Sequence, residues 1–394
     1  MTPSARVQAA IEILDEVIAS SIADGPPADA IVHRYFKMRR YAGSKDRRAV
    51  RELAYRAIRR AGERPVSGRS AMLGLASADD ELGLLFDDSP HGPRALVDGE
   101  RPANPALFPD WIEQQLSSLI TADERPALLG RAPLDLRING ARTIRDAMVA
   151  AFEGATPTKL SPWGLRLPPD NRIDAHPAFI DGLVEIQDEG SQLIALACAP
   201  ADKMRILDLC AGAGGKALAL AAAAPGATII ASDTNRARLS QLAPRAARAG
   251  ATIETRLLDG GREAEQLADL DGQCDVVLVD APCSGSGTWR RTPEGRWRLT
   301  PDRLARLVEV QAHLLDLAAP LVKPGGALVY ATCSILSAEG ADQAASFLGR
   351  RSSWIAQDDL FVAGGGRRDG PGRLLTPAHD ATDGFFVARF GRPC

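Results

Sequence analysis

Apolar residues at Val7, Ala10, Ile11, Leu14, Val17 and Ile18 fall on one helical face and predict a helix over 7–22. Gly25-Pro26-Pro27 ends it. Two more helices are expected over 28–41 and 46–61, with Asp46 capping the second. From 62 to 109 the chain is rich in Gly, Pro and Ala and predicts short helical pieces only. A helix is expected again over 111–129. The period then shortens. Leu134-Asp135-Leu136-Arg137-Ile138 alternates like a half-buried strand, 143–152 reads as helix, and 164–167 and 182–186 read as strands. From Met204 onward, strands at 205–209, 228–232, 252–257, 275–280 and 327–331 alternate with helices at 216–224, 237–249 and 301–321, and Phe385–Phe390 forms a last strand.

Strand–helix alternation of this kind predicts an α/β fold with a doubly wound, mostly parallel sheet. The expected organisation is a helical domain over 1–130, a small α+β module over 131–190 and the main α/β domain over 191–394.

Composition narrows the function. The chain has 394 residues, is 45% apolar and lacks a long uninterrupted apolar run, so no membrane span is expected. Its N-terminus has no signal-peptide core. Six scattered cysteines without a Cys-x-x-Cys pair fit neither a disulfide framework nor a metal site. A reducing, cytoplasmic location, no metal and a monomeric state are the expectations. A net charge of -3 does not advertise a nucleic-acid binder. Its distribution does: 33–60 is crowded with Arg and Lys.

The first strand of the main domain runs into Asp208-Leu209-Cys210-Ala211-Gly212-Ala213-Gly214-Gly215-Lys216, and a helix follows. Such glycines let backbone turn tightly and approach a ligand. The loop is neither a Walker P-loop nor the spaced G-x-G-x-x-G fingerprint. Asp233 ends the next strand, where a carboxylate can accept ribose hydroxyls of NAD or of S-adenosylmethionine. Asp259 follows the third and could meet adenine. The set Cys210–Lys216, Asp233 and Asp259 argues for an adenosine-type cofactor.

Two cysteines follow apolar strands: Cys283 in Asp280-Ala281-Pro282-Cys283-Ser284-Gly285-Ser286-Gly287, and Cys333 in Thr332-Cys333-Ser334. In a sheet of the S-adenosylmethionine type they would face each other across the methyl group. Carbon 5 of cytosine is too weak a nucleophile to take a methyl unaided, but thiolate addition at carbon 6 converts the ring to an enamine. One thiol could attack while the other assists release, and Asp280 could hold a proton against ring nitrogen 3. Gly285 and Gly287 would keep the loop slim for a ligand. Beyond it lie Trp289-Arg290-Arg291 and Arg296-Trp297-Arg298, a pattern suited to gripping phosphates and stacking bases; the alternative is a loop whose tryptophans pack inward.

These residues resemble the RsmB/Sun family of RNA (cytosine-5)-methyltransferases over about 183–389. The resemblance includes Ile186-Gln187-Asp188-Glu189-Gly190-Ser191-Gln192, the 208–216 loop, Asp233, Asp259, Asp280-Ala281-Pro282-Cys283-Ser284, Lys323-Pro324-Gly325-Gly326, Thr332-Cys333-Ser334 and Asp383-Gly384-Phe385-Phe386. It implies S-adenosylmethionine as cofactor, held by Cys210, Ala211, Gly212, Ala213, Gly214, Gly215, Lys216, Asp233, Asp259 and Asp280. It implies Cys333 as nucleophile, Cys283 as release residue, and RNA, ribosomal RNA foremost, as substrate. A transfer-RNA substrate, or a non-catalytic RNA-binding assembly factor, are the other readings. Gly212 and Ala213 replace the usual Ala-Pro of the family loop. Glu339 matches an acidic position, while Gly340 replaces a common Asn. The N-terminal helices faintly resemble a NusB-like RNA-binding domain, and 134–186 resembles an RRM-like extension.

Overall fold

Thr2 starts helix α1 (Pro3–Ile22): its side chain accepts the Ala5 N–H, and Pro3 sits where its missing N–H costs nothing. Helices α2 (Ala28–Met38), α3 (Ser44–Arg60) and α4 (Gly68–Ala76) follow in this computed structural model, which describes residues 1–168, 171–358, 361 and 364–394. Val7, Leu14, Val17, Ile31, Ile58 and Met72 are buried together in their core. A Cβ at Gly68 would lie 2.1 Å from the Ile11 carbonyl oxygen, so α4 meets α1 backbone to backbone there. Asp46 does not cap α3. Gly43 holds that position, and Asp46 lies in the first turn, pairing with Arg6 at 2.8 Å.

The expected helix over 111–129 is absent. Only Asp110–Glu113 and a 3-10 turn at Arg125–Leu129 form. Tertiary partners override the local pattern between them. The Ser117 N–H donates to the Ile335 carbonyl at 2.9 Å, the Ser117 hydroxyl donates to Asp369 at 2.9 Å, and Arg367 pairs with Glu124 at 2.7 Å.

Contacts divide the chain into two compact units that cross the boundaries read from sequence. The first comprises Met1–Leu116, Arg125–Gly130 and Thr288–Arg303. The second comprises Ser117–Glu124, Arg131–Gly287 and Leu304–Cys394.

Within the second unit, β1 (Leu134–Ile138), β2 (Thr156–Pro157), β3 (Gly164–Leu167) and β4 (Val184–Ile186) form an antiparallel sheet in the order β2-β3-β1-β4. Leu136, Leu165 and Val184 bury one face against Met148 and Phe152. The buried Asp135 carboxylate takes a forked pair of hydrogen bonds from Arg166, at 2.7 and 2.8 Å.

The larger sheet contains β5 (Arg205–Asp208), β6 (Thr228–Asp233), β7 (Glu254–Leu257), β8 (Cys274–Asp280), β9 (Val322–Thr332), β10 (Ile355–Gln357), β11 (Arg367–Asp369), β12 (Gly372–Leu375) and β13 (Phe385–Gly391). The order is β11-β12-β13-β9-β8-β5-β6-β7, with β10 pairing β13. Strands β5 to β9 are parallel and β13 runs antiparallel to β9. This is the expected Rossmann-like arrangement. The direction of winding reverses between β5 and β8, so a crevice opens at their carboxyl ends. The expected helix over 237–249 is two: Arg236–Leu239 and Leu242–Ala249. Pro244 has no N–H to continue the hydrogen-bond ladder across the break.

Candidate active site

Parallel pairing of β8 with β9 sets Asp280 opposite Ala331, and the Ala281 N–H donates to the Ala331 carbonyl at 2.9 Å. Both cysteines follow within three residues. Their sulfurs lie 3.2 Å apart, in direct contact, and both residues are half-buried. Cys283 cannot move freely. Gly285 takes φ +70°, and the Gly287 N–H donates to the Cys333 carbonyl at 3.0 Å. A Cβ on Gly287 would lie 1.9 Å from the Gly384 carbonyl oxygen. Gly287 therefore admits the chain entering β13 rather than a ligand.

The two thiols are electrostatically unequal. The hydrogen bond to Cys333 comes first in raising the Cys283 thiol well above its ordinary pKa; burial adds to it, then the charges of Cys333 and Glu339. On the other side, Lys216 Nζ lies 2.6 Å from Asp280 Oδ2. Burial opposes the Lys216 charge, but Asp280, Asp208 and Cys333 outweigh it and raise its pKa, so an ammonium stands near Cys333. Lys216 is thus the proton-bearing partner of Asp280.

The glycine loop is fixed from outside. The Gly212 N–H donates to Asp233 Oδ2 at 2.7 Å, and Arg245 donates to the Ala213 carbonyl at 2.6 Å. Gly212 and Gly214 have φ +56° and +80°. A Cβ on Gly214 would lie 2.2 Å from Leu242 Cδ1. Gly212 thus takes a conformation that the usual Ala could hold only under strain. Cys210 is half-buried in this loop, and burial first, then neighbouring carboxylates, raises its thiol well above normal. Asp233 is buried and its second oxygen accepts the Asn235 N–H at 2.7 Å. Asp259 is exposed beyond β7 and accepts from Gln266 at 2.9 Å.

Asp208 and Gln311 carry no role in the sequence reading, and Glu339 figures there only as a matching acidic position. Asp208 ends β5, and no side chain among the described residues hydrogen-bonds its carboxylate. Burial, then the Asp280 charge, raises it to about 7. Glu339 and Gln311 are wholly buried behind the cysteines and join their loops. A helix-face pattern could not single out Gln311; Asp208 differs from an ordinary strand-end residue only in its missing side-chain partners.

The arginine–tryptophan segment is not the exposed grip expected. Trp289, Arg290, Arg296 and Trp297 are all buried, and Thr288–Arg303 belongs to the first unit. The Arg296 guanidinium donates to the Ile58, Arg59 and Ala61 carbonyls at the end of α3. Trp297 Nε1 reaches the Ala61 carbonyl at 2.9 Å, and Trp289 packs on Phe108. Carbonyls at the end of α3 repay the desolvation of Arg296 and Trp297, and neither is open to phosphate. Exposed cations remain on α2, α3 and the turn between them: Lys37, Arg40, Lys45, Arg48 and Arg51.

The family model described as 16S rRNA methyltransferase RsmB/F matches residues 195–391, half of the chain. The chain belongs to this family. Ribosomal RNA small subunit methyltransferase B of Salmonella typhi is 34% identical over 290 residues, covering 72% of this chain. The match spans 66% of that relative's length, as it does for its counterpart in Salmonella heidelberg. Among solved structures, PH0851 aligns over 99% of both chains with a TM-score of 0.76 at 21% identity. NSun6 from Pyrococcus horikoshii with SFG aligns over 68% of this chain and 92% of its own, with a TM-score of 0.58 at 17% identity. Both share the fold.

S-adenosylmethionine is the cofactor of this family, and the crevice fits it. The positive-φ glycines of the β5 turn lie beside Asp233 at the end of β6 and the buried Asp208 carboxylate, which has no side-chain donor among the described residues. Among the described residues, no cluster of three or more His, Cys, Asp or Glu could hold a metal ion, and no helix is long and apolar enough to cross a membrane.

Proposed function

We propose that this protein methylates carbon 5 of a cytosine in RNA, with ribosomal RNA as substrate, in the cytoplasm. The observation that carries the reading is the pair of sulfurs 3.2 Å apart at the ends of adjacent parallel strands, beside the Lys216–Asp280 pair. A structural thiol pair would have no use for a flanking ammonium at the mouth of a cofactor crevice.

The Cys333 thiolate, favoured by the nearby Lys216 ammonium, adds to carbon 6 of the ring and pushes its electron pair to carbon 5. Lys216 and Asp280 supply a proton-bearing pair against the ring, where charge develops at nitrogen 3 and its neighbouring carbonyl. S-adenosylmethionine, held by the 210–216 loop, Asp208, Asp233 and Asp259, supplies an electrophilic methyl group when bound. Carbon 5 then carries both a hydrogen and a methyl. Cys283, once it has passed its own proton to solvent, takes that hydrogen as a proton; the C–H electrons restore the carbon 5–carbon 6 double bond, and the carbon 6–sulfur bond breaks with its electrons returning to Cys333. The target base must leave its stack to reach half-buried thiols, which favours single-stranded or loosely paired sites.

RNA is held in this reading by the exposed cations of α2 and α3, not by the arginine–tryptophan segment. Bisulfite sequencing of total RNA from cells with and without the protein tests the activity. One or more cytosines protected only when the protein is present is the expected result; identical conversion throughout would refute it.

A further inference from the structure

Behind the two thiols lies a buried polar knot centred on Glu339, which is fully buried. Oε1 accepts the Ser284 N–H at 2.8 Å and Gln311 Nε2 at 2.9 Å. Oε2 accepts the Ser284 hydroxyl at 2.5 Å and the Ser334 hydroxyl at 2.6 Å. Ser284 follows Cys283 directly, and Ser334 follows Cys333 directly. One carboxylate therefore grips the residue next to each sulfur. The hold is reinforced on both sides. Ser286 and Ser334 hydroxyls lie 3.0 Å apart, and the Ile335 N–H donates to Ser286 at 3.0 Å. Gln311 also donates to the Pro282 carbonyl at 3.0 Å, and the Tyr330 hydroxyl donates to the Glu339 carbonyl at 2.7 Å.

We propose that Glu339 is the positioning residue of the two-thiol centre: its carboxylate fixes the separation of Cys283 from Cys333 and sets a buried negative charge beside Cys283. The proposal rests on the two-thiol reading above. Its first part follows from geometry. The sulfurs sit on separate strands, and a wholly buried carboxylate with four donors, three of them from the two loops, leaves neither loop an alternative arrangement of similar energy. Its second part follows from charge. The groups whose charge reaches Cys283 include Cys333, Glu339 and the Tyr330 phenol, and the Lys216–Asp280 pair interacts with Cys333. A buried anion beside Cys283 disfavours a second anion there. The carboxylate touches no reacting atom; it acts through the serines.

The test uses the full-length protein, with thiols read individually by mass spectrometry after alkylation with iodoacetamide across a pH series. In Glu339→Gln the Cys283 alkylation profile should move to lower pH by about one unit, because one negative charge has been removed. A second readout is closure of the Cys283–Cys333 disulfide by diamide, which takes the two thiol hydrogens as the sulfur–sulfur bond forms. Closure should slow about tenfold in Glu339→Gln, and also in Ser334→Ala, which deletes one hydroxyl and leaves the carboxylate. Ser334→Ala covers the case in which Glu339→Gln fails to fold. A folded Glu339→Gln or Ser334→Ala with wild-type closure rate, or a folded Glu339→Gln with an unmoved Cys283 profile, overturns the proposal. Both readouts are independent of RNA. If they shift as expected while the wild type methylates no cytosine, the proposed function falls and the positioning role stands.

Discussion

Lys216 Nζ lies 2.6 Å from Asp280 Oδ2, tying the first residue after the cofactor loop's glycines to the last residue of β8. The raised Lys216 pKa fixes a sign. Stability from the pair is complete below the ordinary lysine value and is lost only as pH rises above it, so the ammonium persists at neutral pH. Lys216→Met should remove the charge that favours the Cys333 thiolate. Alkylation of Cys333 at neutral pH should slow about tenfold in that variant. An unchanged rate would show that Lys216 serves only the fold.

The cysteine variants should fail differently. Cys333→Ala removes the attacking sulfur, so neither a covalent RNA adduct nor methyl transfer is expected. Cys283→Ala leaves attack intact but removes the base for elimination, so a protein–RNA adduct should accumulate. A denaturing gel with labelled cofactor reads both. An adduct with Cys333→Ala and none with Cys283→Ala would exchange the roles.

Asp208 makes cofactor binding proton-linked. Its folded pKa of about 7 lies above the ordinary 3.8. Its contribution to stability is therefore complete below about pH 4 and is lost as pH rises through about 7. A cation placed against its carboxylate reverses that cost. S-adenosylmethionine should accordingly bind more tightly as pH rises from about 6 to 8, releasing a proton near pH 7. Calorimetry in two buffers of different ionisation enthalpy measures the release, and Asp208→Asn should abolish it. Identical heats in both buffers for the wild type would place the cofactor's cationic groups elsewhere.

Arg296 and the surface cations predict separable effects. Arg296→Met strips donors from three carbonyls at the end of α3 and should cost about 3 kcal/mol in denaturant unfolding. The triple variant Lys45→Ala, Arg48→Ala and Arg51→Ala should leave stability nearly unchanged but weaken RNA binding and flatten its salt dependence. An unaltered salt slope would move the RNA contact off α3.

The parallel sheet was legible because buried parallel strands are short apolar runs between helices, a local pattern. So were both thiols, since β8 and β9 declare their own ends. What failed were features defined by a distant partner. Trp289 and Trp297 look like base-stacking residues until Phe108 and Ala61 are known to meet them. Residues 117–124 keep a helical pattern yet are held in turns by Ile335, Asp369 and Arg367. Glu339 stands six residues beyond Cys333 and shows its purpose only when Ser284, 55 positions earlier, is seen to share its carboxylate. Local periodicity carries no information about pairings of that span.

The helical unit is not a contiguous stretch of chain: Thr288–Arg303, which contributes Arg296 and Trp297 to its interior, is encoded inside the catalytic half. No single cut yields either unit whole. Deleting the N-terminal helices would strand a tryptophan and a guanidinium that those helices had covered, and a fragment beginning near residue 131 would carry a foreign hydrophobic plug a few residues after Cys283. Neither unit is therefore encoded as one uninterrupted segment. Grafting the helical part onto another enzyme would require two pieces of sequence, the second spliced in just after the thiol loop.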